Sequence, residues 1–370
     1  VPTLLDKGVR AELALRLGAD LVLELPVAFA TASAERFARG AVETLLATGV
    51  VRRIAYGTEA PEDRDKIKQA AAILADEPPE LGLAIREGIA SGKGFAQARQ
   101  DALAKVTQDP GLARLLAESN TILAVEYEKA LLNSSPLPTL ALPLFDKASF
   151  SASLIRDRVW KTLTKGPDDF LSLTKDLSSV LPPPSVAAIM GAVSRGRGIL
   201  HEEMTALPFL LTPAFFDRDR LNQIAGMQAG LSGRLFKALR QDPASALQGG
   251  ERPYNRFIDS LATRAFPASR IRRAILSAAL GIPAEDLALT QDGPGYIRVL
   301  AFNRRGRRLL SYMRKEAHLP LILNASDFRQ LEEESARRQA ALDFQAQAVW
   351  NHLAGLDTAS EFERQVLQVR

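Results

Sequence analysis

The sequence predicts an α/β domain followed by a mostly helical one. Helix and strand patterns alternate over residues 1–145, strand patterns become sparse after Phe150, and Pro182-Pro183-Pro184 interrupts the chain beyond them. Asp6 to Leu17 carries apolar residues at helical spacing and stops at Gly18. Asp20 to Pro26 then reads as a short buried strand, ended by a proline that cannot donate to a ladder. The scheme repeats: Ala32 to Ala47 is helical, Gly49 stands at a C-cap position, and Val51 to Tyr56 reads as a strand leading into Gly57-Thr58-Glu59. Helices continue to Leu132 with breaks at Pro78-Pro79, Gly92 and Gly94, and Pro138 to Leu142 offers one more strand. Strands separated by helices imply a parallel sheet covered on both faces.

In the second part the clearest helices are Val186–Val193, Asp217–Ala229, Leu231–Leu239, Ser269–Leu280 and Phe328–Leu353, with Tyr296–Phe302 as one strand. The expected division is 1–165 and 166–370. A chain of 370 residues, 46% hydrophobic, is long enough for two cores. It has no apolar run long enough to span a membrane and no basic-then-apolar leader, which predicts a cytoplasmic protein. Absence of cysteine excludes disulfides and thiolate catalysis, and the scattered His201, His318 and His352 make no local zinc site.

Charge is segregated. Between Ser260 and Lys315, eleven Lys/Arg face only Glu285, Asp286 and Asp292, so a net charge of +4 hides one strongly basic region. Such a region attracts a polyanion, because cations that meet phosphates release condensed counterions. Arg264, Arg270, Arg272 and Arg273 cluster at an expected helix start, and Arg304, Arg305, Arg307 and Arg308 crowd an expected glycine turn. Arginine pairs bidentately with phosphate and stacks on bases, which suits folded RNA. A solvated charged face paired with acidic helices is the competing reading.

Collinear segments then carry a resemblance. Leu5–Leu15 (L-D-K-G-V-R-A-E-L-A-L), Gly18–Pro26 (G-A-D-L-V-L-E-L-P), Ala32–Val42, Tyr56–Glu59 (Y-G-T-E) and Ser119–Tyr127 (S-N-T-I-L-A-V-E-Y) are in family order. So are Ala229–Leu235, Ser269–Leu276 and Tyr296–Asn303. Together they resemble the tRNA(Met) cytidine acetate ligases of the nucleotidyltransferase superfamily. The resemblance implies a Rossmann-like nucleotidyltransferase parallel sheet followed by a mostly α-helical, tRNA-binding domain. It also implies activation of acetate with ATP to acetyl-adenylate, with Mg2+ on the triphosphate, and acetyl transfer to N4 of the wobble cytidine of elongator tRNA(Met).

The same resemblance implies ATP contacts at Gly57 and Asn120, and phosphate contacts at Ser151, Ser153 and Arg156 of the Phe150–Arg156 run (F-S-A-S-L-I-R). Taken alone, Gly57 reads as a turn glycine, Asn120 as an N-cap, and the serines as an ordinary helix start.

Two departures qualify the match. The family's first strand and H-x-G-H motif are expected upstream of Val1, which would leave this sheet N-terminally incomplete and catalysis by these residues alone in doubt. Pro143-Leu144 stand where the family carries a basic pair, with Lys147 as a substitute cation. A small-molecule nucleotidyltransferase and a non-catalytic tRNA-binding relative are the alternative readings.

Overall fold

In the computed structural model, residues 3–144, 152–165, 170–241, 252–357 and 364–369 are described. The first part runs α1 (Lys7–Arg16), β1 (Leu21–Glu24), a helical turn α2 (Val27–Ala30), α3 (Ala34–Ala47) and β2 (Ile54–Thr58). Helices α4 (Arg64–Asp76), α5 (Pro79–Ala90), α6 (Phe95–Thr107), α7 (Pro110–Leu115) and α8 (Ser119–Asn133) then lead to β3 (Thr139–Pro143).

β2 and β3 pair in parallel, from Ile54 opposite Thr139 to Thr58 opposite Pro143. The crossover of α4–α8 explains why they can be parallel. Side chains alternate along β2: Ile54, Tyr56 and Thr58 are buried, whereas Ala55 and Gly57 face outward. The buried face joins Ile67, Leu74, Leu81, Leu103 and Val125 in one core. Under it, the Glu128 carboxylate accepts from Tyr56 Oη and Thr139 Oγ1, each at 2.6 Å, so a buried charge ties helix α8 to both strands.

The second part contains α9 (Ala152–Lys165), α10 (Phe170–Ser178), α11 (Pro183–Arg195), α12 (Ala206–Ala214), α13 (Arg218–Asn222) and α14 (Leu231–Gln241). It continues through α15 (Pro253–Leu261), α16 (Ala268–Ala279), β4 (Ile297–Phe302), α17 (Arg304–Glu316), β5 (Leu321–Ile322), α18 (Glu334–Leu353) and β6 (Leu367–Gln368). Leu221, Leu231, Ile258, Ile271 and Ile275 anchor its main core. The helix expected over Asp217–Ala229 is cut to α13, which ends at Asn222; beyond it Ile224 bridges to Pro283 and Gly226, at φ +84°, turns the chain.

β1 does not join the parallel pair. It runs antiparallel to β4, with Leu21 opposite Phe302 and Glu24 opposite Arg298. β4 is buried along nearly its whole length and so requires partners on both edges. β1 fills one edge, while β5 and β6 share the other. The sheet therefore links residues on both sides of position 165, and so does a core combining Leu5 with Val159, Leu173 and Ile189.

The expected glycine turn at Arg304–Arg308 is instead the first turn of α17. Asn303 Oδ1 accepts from the N–H groups of Arg305 (2.8 Å) and Gly306 (3.0 Å), an N-cap that starts the helix. Asn303 Nδ2 donates to Asp20 Oδ1 at 2.8 Å, which fixes the helix against the loop before β1. A Cβ on Gly306 would lie 1.9 Å from the Asp20 carbonyl oxygen. In an open helix, glycine to alanine stabilises by about 1 kcal/mol. Here Gly306→Ala is expected to destabilise by about 3 kcal/mol, because backbone must move; urea unfolding of the two proteins measures it.

Candidate nucleotide site and basic surface

The outward face of β2 floors a cavity of about 300 Å³. Ala41, Val42 and Leu45 of α3 form one wall, Asn120 and Tyr127 of α8 another, and Leu144 overhangs from the end of β3. Gly57 and Asn120 thus come together, as their resemblance-based assignment expects. The absence of a side chain at Gly57 is what leaves the cavity open: a Cβ there would be 2.7 Å from Leu144 Cδ2. Leu144 itself is held by its N–H, which donates to the Thr58 carbonyl at 3.3 Å.

Asn120 is not the N-cap. α8 starts at Ser119 after Glu118, whose side chain makes no capping bond. The cap comes from across the site. Glu59 Oε1 accepts from Asn120 N (3.2 Å) and Nδ2 (2.9 Å), and Oε2 accepts from Thr121 N (2.8 Å) and Oγ1 (3.0 Å). Buried Thr58 and Thr121 hydroxyls meet beside it at 2.8 Å. A carboxylate at the positive end of a helix is favourable, and it takes the N–H groups a phosphate would otherwise use. The cavity is therefore suited to the flat, uncharged part of a nucleotide, with the Asn120 side chain held in one orientation at its rim.

Glu59 and Thr121 were not singled out by sequence reasoning, although both lie inside Y-G-T-E and S-N-T. The available cue was an acid directly after a strand pattern; the helix start, with Ser119, Asn120 and Thr121 in its first turn, gave no sign that it needed a cap from elsewhere. Glu59→Ala is expected to cost about 2 kcal/mol by leaving α8 uncapped. Glu59→Gln should recover part of it, as thermal unfolding would read.

Ser153 and Arg156 lie on α9, and neither lines this cavity. Ser153 is exposed and Arg156 half-buried. α9 is attached elsewhere: Val159 enters the core with Leu173 and Ile189, and Trp160 stacks on His201 at 4.8 Å. Ser151, Lys147 and the rest of Phe145–Phe150 lie outside the described residues. Among the described residues there is no group of three His, Cys, Asp or Glu able to hold a metal.

The basic cluster divides into two kinds. Arg272 donates to Asn255 Oδ1, and Arg270 donates to the Gln228 carbonyl at 3.1 Å while stacking on Phe266. Arg273 is half-buried, and burial together with Arg270 lowers its pKa. Arg270 and Arg272 thus brace the helical core. Arg298 likewise is buried against Glu24 at 3.2 Å. Arg264, Arg304, Arg305, Arg307 and Arg308 are exposed.

A parallel strand pair with a long helical crossover, whose outward face opens on an apolar cavity beside a capped helix start, defines the class as an α/β protein with a ligand-sized cleft. A family model described as HIGH Nucleotidyl Transferase matches residues 1–365. A tRNA(Met) cytidine acetate ligase from Acetivibrio thermocellus is 32% identical over 345 residues, covering 88% of this chain and 78% of the relative. One from Caldanaerobacter subterraneus subsp. tengcongensis is 33% identical, covering 90% and 80%. The crystal structure of Thermotoga maritima TmcAL bound with alpha-thio ATP superposes with a TM-score of 0.86 at 30% identity, covering 100% of this chain and 89% of that one. The chain belongs to the HIGH nucleotidyl transferase family and, within it, to the tRNA(Met) cytidine acetate ligases.

Proposed function

We propose that the protein joins acetate to N4 of the wobble cytidine of elongator tRNA(Met) at the expense of ATP. The observation that carries this reading is the cavity beside Gly57 and Asn120, in a chain whose relatives bear that ligase name. In the first step an acetate oxygen attacks the α-phosphorus and pyrophosphate leaves, giving acetyl-adenylate. In the second, the cytidine amino group attacks the acyl carbon, AMP leaves, and the nitrogen loses a proton. Acetate offers little binding energy, so nucleotide and tRNA must supply most of the positioning.

Within the chain, Gly57 admits the nucleoside to the floor formed by β2, and Glu59 holds Asn120 and the start of α8 in place. Ser153 and Arg156, with Ser151, belong to the proposal as groups for the phosphates, and their helix is braced by Trp160 against His201. Mg2+ would enter on the triphosphate, partly neutralising the charge pyrophosphate carries away. No helix among the described residues is long and apolar enough to cross a membrane, and a cytoplasmic location follows from the tRNA substrate proposed here.

The test supplies labelled acetate, ATP and elongator tRNA(Met) to the purified protein and follows label in tRNA together with AMP and pyrophosphate. Equal amounts of all three support the reading. Pyrophosphate released with a metabolite and no tRNA would indicate a small-molecule nucleotidyltransferase. Tight tRNA binding without turnover would indicate a non-catalytic relative, an outcome that Pro143-Leu144 in place of a basic pair would permit.

A further inference from the structure

α17 carries six cations, Arg304, Arg305, Arg307, Arg308, Arg314 and Lys315, and all are exposed. Its buried seam is Gly306, Leu310 and Met313, which leaves the rest of the surface to solvent. Helical spacing sorts that surface into two stripes. Arg305, Arg308, Tyr312 and Lys315 form one, and Arg304, Arg307, Ser311 and Arg314 form the other. Tyr312 is 61% exposed, a large aromatic face set between cations.

This arrangement is unfavourable for the protein alone. Four arginines occupy the first turn and a half, where the helix dipole is positive and acids would be stabilising. Among the described residues no carboxylate forms an ion pair with any of the six. Elsewhere in the basic region Arg270, Arg272 and Arg298 are tied to neighbouring protein groups, whereas these six do nothing visible for folding. A cationic helix surface that costs stability is the complement of a polyanion.

The surface continues past the helix. A Cβ at Gly49 would fall 2.3 Å from the Glu316 carbonyl oxygen, so the chain entering β2 lies directly against the end of α17. The exposed Arg52 and Arg53 are on that entering segment. From Arg53, β2 runs to Gly57, a strand path of about 13 Å. α17 itself is about 20 Å long, room for several successive phosphates.

We propose that α17 and the Arg52-Arg53 segment form one RNA-docking band, which engages the sugar-phosphate backbone and stacks an unpaired base on Tyr312. The band leads from the helical domain to the strand that floors the cavity. This proposal rests on the ligase reading, and it names the surface by which that substrate is held. Stacking on an aromatic ring is sequence-tolerant, so the band supplies affinity and direction, and identity is read elsewhere.

The experiment measures tRNA binding across a salt series for wild type, for Arg305→Ala/Arg308→Ala/Lys315→Ala, and for Tyr312→Ala. A control removes the same charge from α5–α7 with Arg86→Ala/Lys105→Ala/Arg114→Ala. Calorimetry with an ATP analogue and a melting curve accompany each. The band variant should lose at least tenfold in affinity, and its log K against log salt slope should fall by about 2–3. Its melting temperature should hold or rise, because cations leave a helix start. Tyr312→Ala should weaken binding without changing the slope. A band variant that matches wild type or the control in affinity and slope overturns the docking band while leaving the ligase reading intact. A wild-type protein with no tRNA affinity overturns that reading and the band with it.

Discussion

Asp343→Ala is expected to destabilise the protein by about 3–5 kcal/mol, the range for removing one member of a buried charged network. The Asp343 side chain is 1% exposed. It accepts from Tyr296 Oη at 2.5 Å and from Val27 N at 2.6 Å, so one carboxyl joins α18, the residue entering β4, and α2. Alanine would strand both donors in the interior. Nearby, Glu24 accepts from Lys7 at 2.7 Å and pairs with Arg298 at 3.2 Å, so the charges are placed rather than isolated.

Burial and the adjacent Glu24 push the Asp343 carboxyl up from 3.8 to about 7. Between those values the folded protein holds a proton that the unfolded chain has released. The stability contributed by protonated Asp343 is complete below pH 4 and is lost as pH rises through 7, the reverse of ordinary acid denaturation. Asp343→Asn keeps an acceptor for Val27 and cannot ionise. It should cost under about 1 kcal/mol at pH 8 and should flatten the decline between pH 4 and 7. Urea unfolding at four pH values checks both; an Asn variant with an unchanged pH profile would assign the slope to another group.

Gly57→Val is expected to weaken ATP-analogue binding by about 100-fold, or roughly 2.7 kcal/mol, while changing stability by less than 1 kcal/mol. The two effects separate because Gly57 faces outward on β2, where a β-branched residue is compatible with the strand. The new methyl groups would occupy the cavity floor under Leu144, and the end of that leucine side chain can yield. Calorimetry and melting curves on the same samples decide the matter. Undiminished affinity in a well-folded Gly57→Val protein would move the nucleotide away from this cavity.

Much of the site was legible because it is local. A glycine after a strand pattern and an asparagine at a helix start are short-range signals, and β2, β3 and β4 stood out as apolar runs with turn residues beside them. The Glu59 cap was hidden because its donors lie 61 and 62 residues away. The partner of β1 was missed for the same reason: helix–strand alternation suggests neighbours in sequence, and nothing local in Leu21–Glu24 names Phe302. At α17, arginines around a glycine suggested a turn, because sequence alone does not show that Gly306 is needed where the helix touches Asp20. The arginines of α16 were grouped with those of α17 by charge, and only burial separates braces from a free surface.

Pairing β1 with β4 also sets the order in which the protein can fold. Closing the loop from Leu21 to Phe302 costs about 5 kcal/mol of chain entropy by the logarithmic loop law, and this nonlocal contact raises the contact order and slows the search. On a ribosome adding about 5–20 residues per second, β1 would wait some tens of seconds for its partner. Throughout that interval its edge is an unpaired row of N–H and C=O groups, open to pairing with another chain. The helical crossover between β2 and β3 can meanwhile assemble from its own contacts. The sheet that joins Leu21–Glu24 to Ile297–Phe302 is thus expected to close late, leaving the β1 edge exposed to other chains until β4 has been made.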